Sequence, residues 1–176
     1  MQVYDIAILI LRLIVGLLFF GHGTQKLFGW FGGGGLENTA GMFGKMNVAP
    51  ARLWALVAGL SEALGGLGLA LGLITPLAAA LIVGVMVVAI LRVHLRNGLW
   101  NSNRGIEYPL VNLSIATFIG VVGPGIYSID ALLQFDYSTG LTFLLSLIVI
   151  LLGVAISLAS GQLIAGRRGQ TPQKEQ

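Results

Sequence analysis

The chain contains no cysteine among its 176 residues, and only 10% of its residues are charged. Without cysteine it can form no disulfide, no thiolate nucleophile and no cysteine-ligated cluster. Any redox chemistry would therefore belong to a bound cofactor, a substrate or a partner chain. The net charge of +3 is small and dispersed along the chain, so no nucleic-acid partner is expected.

Several motifs of small-ligand chemistry are also missing. The glycine run 32–35 is followed by Leu36-Glu37 rather than by the Gly-Lys-Ser/Thr of a phosphate-binding loop. No His-x-x-x-His or Glu-x-x-His pair occurs, which makes a metal site a minority interpretation of the two histidines and the carboxylates. We therefore predict no metal and no covalent cofactor, and we assign no catalytic residue.

What the sequence does contain is long apolar runs. Apolar residues make up 56% of the chain and the mean hydropathy is +0.89, values typical of a membrane protein. Five runs are long enough to span a bilayer when flanking residues are counted, the fourth being the shortest: 6–28, 53–74, 77–95, 108–122 and 141–160. The predicted fold is an all-α integral membrane protein. A short interfacial helix over 36–46, capped near Asn38 or Thr39, is expected between the first two spans.

The basic residues predict the orientation of these spans. Apart from Arg12, every lysine and arginine falls in the first loop, the third loop or the C-terminal tail. With five spans these three regions lie on one side, and the positive-inside rule makes that side cytoplasmic. We therefore expect a multi-pass protein of the cytoplasmic (inner) membrane, with its N-terminus outside and its C-terminus in the cytoplasm.

Ionisable residues inside or beside the apolar runs are the candidate site. A charge at bilayer depth costs roughly 2.5–3.5 kcal/mol on insertion scales, so it is expected to face partners inside a bundle. The candidates for ligand binding or proton relay are His22, Lys26, Glu62, His94 and Glu107, with Arg12, Asn112 and Asp130 as weaker candidates.

Each candidate has a simpler interpretation. Lys26 could extend to lipid phosphates, and Glu107 could serve as the acidic residue at a helix start. Glu62, the deepest carboxylate, could form a purely structural ion pair with His22, Lys26 or His94. The glycines of the second span, including Gly68-x-x-x-Gly72, are interpreted as positions of close helix packing.

Six separated motifs resemble the DoxX family of small bacterial membrane proteins, over about residues 8 to 133. They are Gly21-His22-Gly23-x-x-Lys26, Glu62 with Gly65-Gly66, Leu71-Gly72-Leu73-x-Thr75, Val93-His94 with Asn97-Gly98, Gly105-x-Glu107-Tyr108, and Gly123-Pro124-Gly125-x-Tyr127-Ser128-x-Asp130. The resemblance implies a four-helix membrane bundle whose polar positions would be His22, Lys26, Glu62, His94, Glu107 and Asp130. Some members are described as the membrane subunit of thiosulfate:quinone oxidoreductase, and others as parts of membrane oxidoreductase complexes tied to redox stress.

The resemblance suggests a division of the chain. Residues 1–140 would form the DoxX-like bundle, 141–160 an additional transmembrane helix, and 161–176 a polar cytoplasmic tail. The additional helix carries no charge, so we expect it to pack outside the polar bundle, against a partner or a second copy. Other protein subunits or a homo-oligomer are the expected partners, together with the lipid membrane.

Three functions compete at this point. The preferred hypothesis is a membrane subunit of an oxidoreductase system that binds quinone in a polar pocket of the inner half of the bundle. A quinone needs an apolar path for its tail, donors for its carbonyl oxygens and a group that relays protons. The alternatives are a transporter of a small anion, held by Arg12 and Lys26, and a structural subunit that anchors a larger complex.

Overall fold

A computed structural model describes residues 3–168, with side chains as far as Ser160. Within that range the chain forms α-helices joined by turns and short 3-10 segments, and no β-strand occurs. The seven α-helices are α1 (Val3–Phe28), α2 (Gly35–Lys45), α3 (Ala51–Leu71), α4 (Thr75–Ala89), α5 (Glu107–Val122), α6 (Ile129–Leu132) and α7 (Thr139–Arg168). The predicted all-α fold is confirmed.

Four stretches of the described helices are long and apolar enough to cross a membrane: Val3–Phe28, Ala51–Leu71, Thr75–Asn97 and Thr139–Ser160. The remaining apolar helix, α5, is the fourth in chain order. It has 16 residues and is therefore about 24 Å long. It is the shortest of the five apolar stretches when α4 is counted with the turns that continue it to Asn97, as the sequence predicts. Its length falls short of a hydrocarbon core of about 30 Å unless flanking residues contribute.

Four helices, α1, α3, α4 and α5, close into a ring. Helix α1 packs on α3, α3 on α4, α4 on α5, and α5 returns to α1. The centre of the ring holds an apolar core that includes Phe19, Leu69, Ile82 and Ile119, each at most 2% exposed. This is the four-helix bundle that the family resemblance implies.

The closest helix pair is α1 against α3, and glycine makes it possible. A Cβ on Gly16 would lie 2.5 Å from the Ala70 nitrogen, and one on Gly66 would lie 2.3 Å from the Phe20 nitrogen. Gly23 is similarly placed against Ala63. Backbones can approach this closely only where neither helix carries a side chain, which is how small residues drive helix packing in membranes.

Helix α2 lies across the ends of α1 and α3. It begins at Gly35, and no side chain caps its start. The expected cap at Asn38 or Thr39 is therefore wrong: Thr39 lies inside the helix, where its hydroxyl donates to the Gly35 carbonyl at 2.8 Å and to the Lys26 carbonyl at 3.2 Å. A threonine one turn into a helix can bond the preceding turn, and here it also fastens α2 to the end of α1.

Helix α4 changes its hydrogen-bonding pattern before it ends. Residues Ile90–His94 form a π-helical turn, followed by a 3-10 turn at Leu95–Asn97. Such π turns rotate the following side chains relative to a regular helix and occur often at functional sites. His94 is the last residue of this turn.

Helix α7 packs on α4 and α5, outside the four-helix ring. Phe143 of α7 is 4% exposed and fits against Gly120 of α5, where a Cβ would lie 2.4 Å from its ring. The backbone of α7 remains helical as far as Arg168, and the rest of the predicted tail, 169–176, lies outside the described residues.

Candidate functional site

A cavity of about 420 Å³ lies beside α4 at the end of the bundle where α2 crosses; we call this the cavity end. Its walls come from the ends of α1 and α2, from α3, from α4 with its π turn, and from α7. Most of the described residues that line it are apolar, including Val57, Leu81 and Val85. The polar ones are Lys26, Trp54, Ser61, Glu62, His94 and Ser157.

The centre of this site is an ion pair between Lys26 of α1 and Glu62 of α3. The Glu62 side chain is 3% exposed and the Lys26 side chain 29%, so the carboxylate is buried and the ammonium borders the cavity. Each charge compensates the other on burial, and removal of either partner would leave an uncompensated charge. Of the three partners that the sequence offers for Glu62, the structure selects Lys26.

Helix periodicity brings the pair together. Arg12, Gly16, Phe19, Gly23 and Lys26 follow alternating spacings of four and three residues and form one stripe of α1. The glycines in this stripe allow α3 to approach α1 so closely that the Lys26 ammonium bonds the Glu62 carboxylate directly. The close packing of the two helices therefore fixes the position of the ion pair.

His94 reaches the same cavity from the π turn of α4. Its Nδ1 lies 2.7 Å from the carbonyl oxygen of Arg104, which can only accept a hydrogen bond. The Nδ1 atom must therefore carry the proton, and Nε2 of the neutral imidazole is left as an acceptor. The side-chain amide of Asn97 donates to the same carbonyl at 3.1 Å. Ring orientation and tautomer are thus set by the backbone of the 98–106 loop.

Trp54 adds a donor that sequence reasoning missed. It lines the cavity, and its indole N–H is buried with no acceptor among the described residues. Buried N–H groups are rarely left unpaired, so this one marks an unused donor in the wall of the cavity. From the sequence alone Trp54 looks like an ordinary membrane-interface tryptophan. Its position eight residues, about two turns, before Glu62 is the one signal that it lies on the same side of α3.

Three other predicted residues do not line this cavity. His22 bonds Gln25 at 3.2 Å and packs edge-on against Phe19. Glu107 accepts from the Asn101 nitrogen at 2.8 Å, and Asn112 donates to the Tyr108 carbonyl one turn back in α5 at 3.0 Å. The prediction that all five main candidates share one pocket is therefore corrected, because His22 lies beside the α1 stripe and Glu107 is used by the adjoining loop.

Arg12 lies at the opposite end of the bundle, which we call the closed end: the turn 72–75, the loop 123–130 and Arg12 itself. The guanidinium is 1% exposed and donates to the carbonyls of Pro124 at 2.6 Å and Tyr127 at 2.5 Å. It lies against Gly72, which ends α3 with φ +64°, and a Cβ there would fall 2.1 Å from Nη1. Gly72 is thus needed for both its backbone conformation and its lack of a side chain.

Asp130 completes the closed end. Its carboxylate is 4% exposed and accepts from the Ile74 and Thr75 nitrogens, at 2.7 and 2.9 Å, and from the Thr75 hydroxyl at 2.7 Å. Tyr137 donates a fourth bond at 2.5 Å. Asp5, 6% exposed, accepts from the Ile126 nitrogen at 3.4 Å. Arg12 and Asp130 therefore hold loops to helix ends, away from the cavity that Lys26, Glu62 and His94 line.

The expected position of α7 also needs correction. It lies outside the ring, as predicted, but it is not separate from the polar groups. Val149, Ile150, Gly153, Val154 and Ser157 line the cavity, and its Leu158 carbonyl accepts from Arg92 at 2.8 Å. Across residues 3–160, no group of three or more histidine, aspartate or glutamate side chains is arranged to hold a metal ion.

Together, the apolar helices, their lengths and the buried charges define a multi-pass α-helical membrane protein in a lipid environment. The chain belongs to the DoxX family, whose family model matches residues 7–95, half of the chain. That match includes Arg12, Lys26, Glu62 and His94, and ends before Glu107. Searches among curated proteins and among solved structures each find no match.

Proposed function

We propose that this protein is a membrane subunit of an oxidoreductase system and that it binds a quinone in the cavity next to Glu62. The observation that carries the proposal is a buried carboxylate, paired with a partly exposed ammonium, on the wall of an otherwise apolar cavity. Ligand sites are mostly apolar hollows of 300–1,000 Å³ with a few convergent polar groups, and this cavity falls within that range.

The polar groups suit the two needs of a quinone. Its carbonyl oxygens accept hydrogen bonds, and the Lys26 ammonium has three N–H donors, of which Glu62 uses one. The unpaired Trp54 N–H is a further donor. The apolar faces of α3, α4 and α7 would accommodate the ring and the beginning of an isoprenoid tail.

Proton transfer would use Glu62 and His94. Reduction of a quinone to a quinol takes up two electrons and two protons, and oxidation releases them. With Nδ1 bonded to a carbonyl, the Nε2 atom of His94 can take a proton or, once protonated, return it. The electrons would come from or pass to a partner protein, since the cysteine-free chain has no thiol redox couple.

The geometry supports an anion transporter less well. Arg12 was one of its two proposed binding charges, but both terminal nitrogens of Arg12 bond loop carbonyls at the closed end. The other, Lys26, is already neutralised by Glu62. An anion at Lys26 would therefore meet a charge that Glu62 already compensates, and at Arg12 it would compete with the loop carbonyls.

Glu62→Gln tests the proposal. The amide keeps the size of the carboxylate and its ability to accept from Lys26 but removes the charge and the proton-relay function. We expect the purified variant to remain folded and to lose at least tenfold in affinity for a short-chain quinone. Glu37→Gln is the matched control, because Glu37 is 78% exposed and pairs only with exposed Arg52. His94→Gln against His22→Gln provides a second pair, with the loss expected only at His94.

Lipid extracts of the wild-type protein, purified in mild detergent, should contain quinone by mass spectrometry. A Glu62→Gln protein that is folded and binds quinone as tightly as the Glu37→Gln control would remove Glu62 from the site. Wild-type protein that neither carries quinone nor binds an added analogue would favour the anchoring role instead.

The proposed location is the cytoplasmic membrane, with the C-terminus inside. It is supported by the confinement of nine of the ten basic residues to three regions that five spans would place on one side. Reporter fusions should show a cytoplasmic C-terminus and an external N-terminus. A cytoplasmic N-terminus would contradict five spans.

A further inference from the structure

A second, smaller cavity of about 190 Å³ lies where the end of α2 meets the π turn of α4. It is lined by Lys45, Met46, Asn47, Leu91, Arg92 and Arg96. Three of these six residues are cations, and they come from two separate parts of the chain. Met46 also lines the quinone cavity, so the two cavities are neighbours.

Among the residues that the structure describes, no carboxylate lines this basic cavity. Within residues 3–160 the ion pairs are Lys26–Glu62 and Arg52–Glu37, and neither involves Lys45, Arg92 or Arg96. Arg92 uses one N–H on the Leu158 carbonyl, which leaves four of its five donors for other acceptors. The cavity thus concentrates positive charge and N–H donors that the described part of the chain does not neutralise.

The surroundings indicate an amphiphilic anion. Leu91 lines the cavity and is 46% exposed, and Leu95 on the next turn is 53% exposed. Both project from the end of an apolar helix long enough to cross the membrane. Cations at such a helix end lie at the level of lipid phosphates, and basic pockets between helices at a membrane face are suited to anionic head groups.

We propose that Lys45, Arg92 and Arg96 bind the phosphate of an anionic phospholipid, while Leu91 and the neighbouring apolar surface contact its acyl chains. Two arginines can form forked bonds to phosphate oxygens, and the lysine adds a point charge. The site is separate from the quinone site, and its ligand would be a structural lipid at the joint between α2 and α4.

The test is native mass spectrometry of the full-length protein released from detergent containing equimolar phosphatidylglycerol and phosphatidylcholine. Wild-type protein should retain phosphatidylglycerol preferentially. Lys45→Gln/Arg96→Gln removes two cations that are both exposed, and it leaves Arg92 and its bond to α7 intact. About fivefold is expected per cation, so the double variant should bind phosphatidylglycerol roughly thirtyfold more weakly.

Arg52→Gln/Arg104→Gln is the matched control, since it removes the same charge from exposed positions outside the cavity. It should retain phosphatidylglycerol as the wild type does. The two single variants, Lys45→Gln and Arg96→Gln, repeat the test if the double variant unfolds. Equal loss in the control and the double variant, or no preference for phosphatidylglycerol in the wild type, would overturn the proposal.

A further arm separates a lipid from free phosphate. Inorganic phosphate or glycerol phosphate at millimolar concentration should not displace the bound lipid, because neither supplies the acyl contact at Leu91. Displacement by inorganic phosphate alone would show a site for the free anion and overturn the lipid as its ligand.

Discussion

The two ends of the bundle bury charge in different ways. At the closed end, Arg12 and Asp130 do not bond each other. The guanidinium donates to two loop carbonyls, and the carboxylate accepts from two backbone N–H groups and from the Thr75 and Tyr137 hydroxyls. At the cavity end, Lys26 and Glu62 bond each other and border a space of about 420 Å³. The first arrangement stabilises turns and a loop, while the second leaves donor capacity for a ligand.

The difference shows that burial alone does not identify a site. Arg12 is 1% exposed and Glu62 2% exposed, and on that measure they are equivalent. What separates them is what lies beside each charge. Intramembrane charges are functional by default, but Arg12 donates to two loop carbonyls and does not line the cavity, which favours a structural role.

The largest expected effect comes from breaking the closed end. Arg12→Met should lower the free energy of unfolding by roughly 3–5 kcal/mol, because two carbonyl bonds disappear and the favourable charge interaction with buried Asp130 is lost. Thermal unfolding in detergent measures this, with Arg104→Met as an exposed control. The comparison fails if Arg12→Met is as stable as that control.

At the cavity end the pair can be removed without the same loss. Lys26→Met alone should cost about 2–4 kcal/mol by leaving Glu62 buried without its partner. The double variant Lys26→Met/Glu62→Met removes both charges and should unfold within about 1 kcal/mol of the wild type. It should nevertheless bind no quinone. A double variant as unstable as the single one would show that the pair mainly holds the helices together.

The sequence predicts much of this architecture. The apolar runs give the five long helices, and helical periodicity together with the cost of buried charge points to Glu62 and Lys26. It does not distinguish the two ends. Nothing local in the chain shows that Arg12 faces the 123–130 loop more than a hundred residues away. Nor does the periodicity show that His94 lies on a π turn at the wall of the cavity.

The contribution of α7 to the cavity could not be predicted from the sequence, for a related reason. A helix with no charge over 141–160 looks as if it simply faces lipid, and only 11% of its most apolar window is buried. Its contribution to the cavity depends on packing at Gly84 of α4, where a Cβ would lie 2.3 Å from the Ile150 side chain. Such a long-range fit depends on three-dimensional packing that a single sequence does not specify.

A substitution in the contact between α1 and α3, which lies between the two ends of the bundle, should disturb both ends. Gly16→Ala would place a Cβ 2.5 Å from the backbone of α3, and overpacking of this kind costs typically about 1–3 kcal/mol. Because the same helix pair carries Arg12 and Lys26, stability and quinone affinity should fall together. Gly21→Ala is the matched control, since no atom lies within 4 Å of its added Cβ. Equal behaviour of the two variants would mean that α1 and α3 can separate at little cost.

The smallest effect sharpens the description of the closed end. Tyr137→Phe removes the hydroxyl that donates to Asp130 at 2.5 Å, and it should lower the free energy of unfolding by about 1–2 kcal/mol.

Burial, followed by the hydrogen bond to Asp130 and its negative charge, raises the pKa of Tyr137 above its ordinary value of 10.0. The folded state therefore favours the protonated phenol, and this stabilisation is complete below about pH 10 and is lost as the pH rises through the higher folded-state value. The difference between wild type and Tyr137→Phe should be constant from about pH 6 to about pH 9 and should shrink above about pH 10. Tyr4→Phe, at a residue 47% exposed, is the control and should show no such difference. A difference that changes below about pH 9 would contradict the assignment of this effect to the phenol of Tyr137.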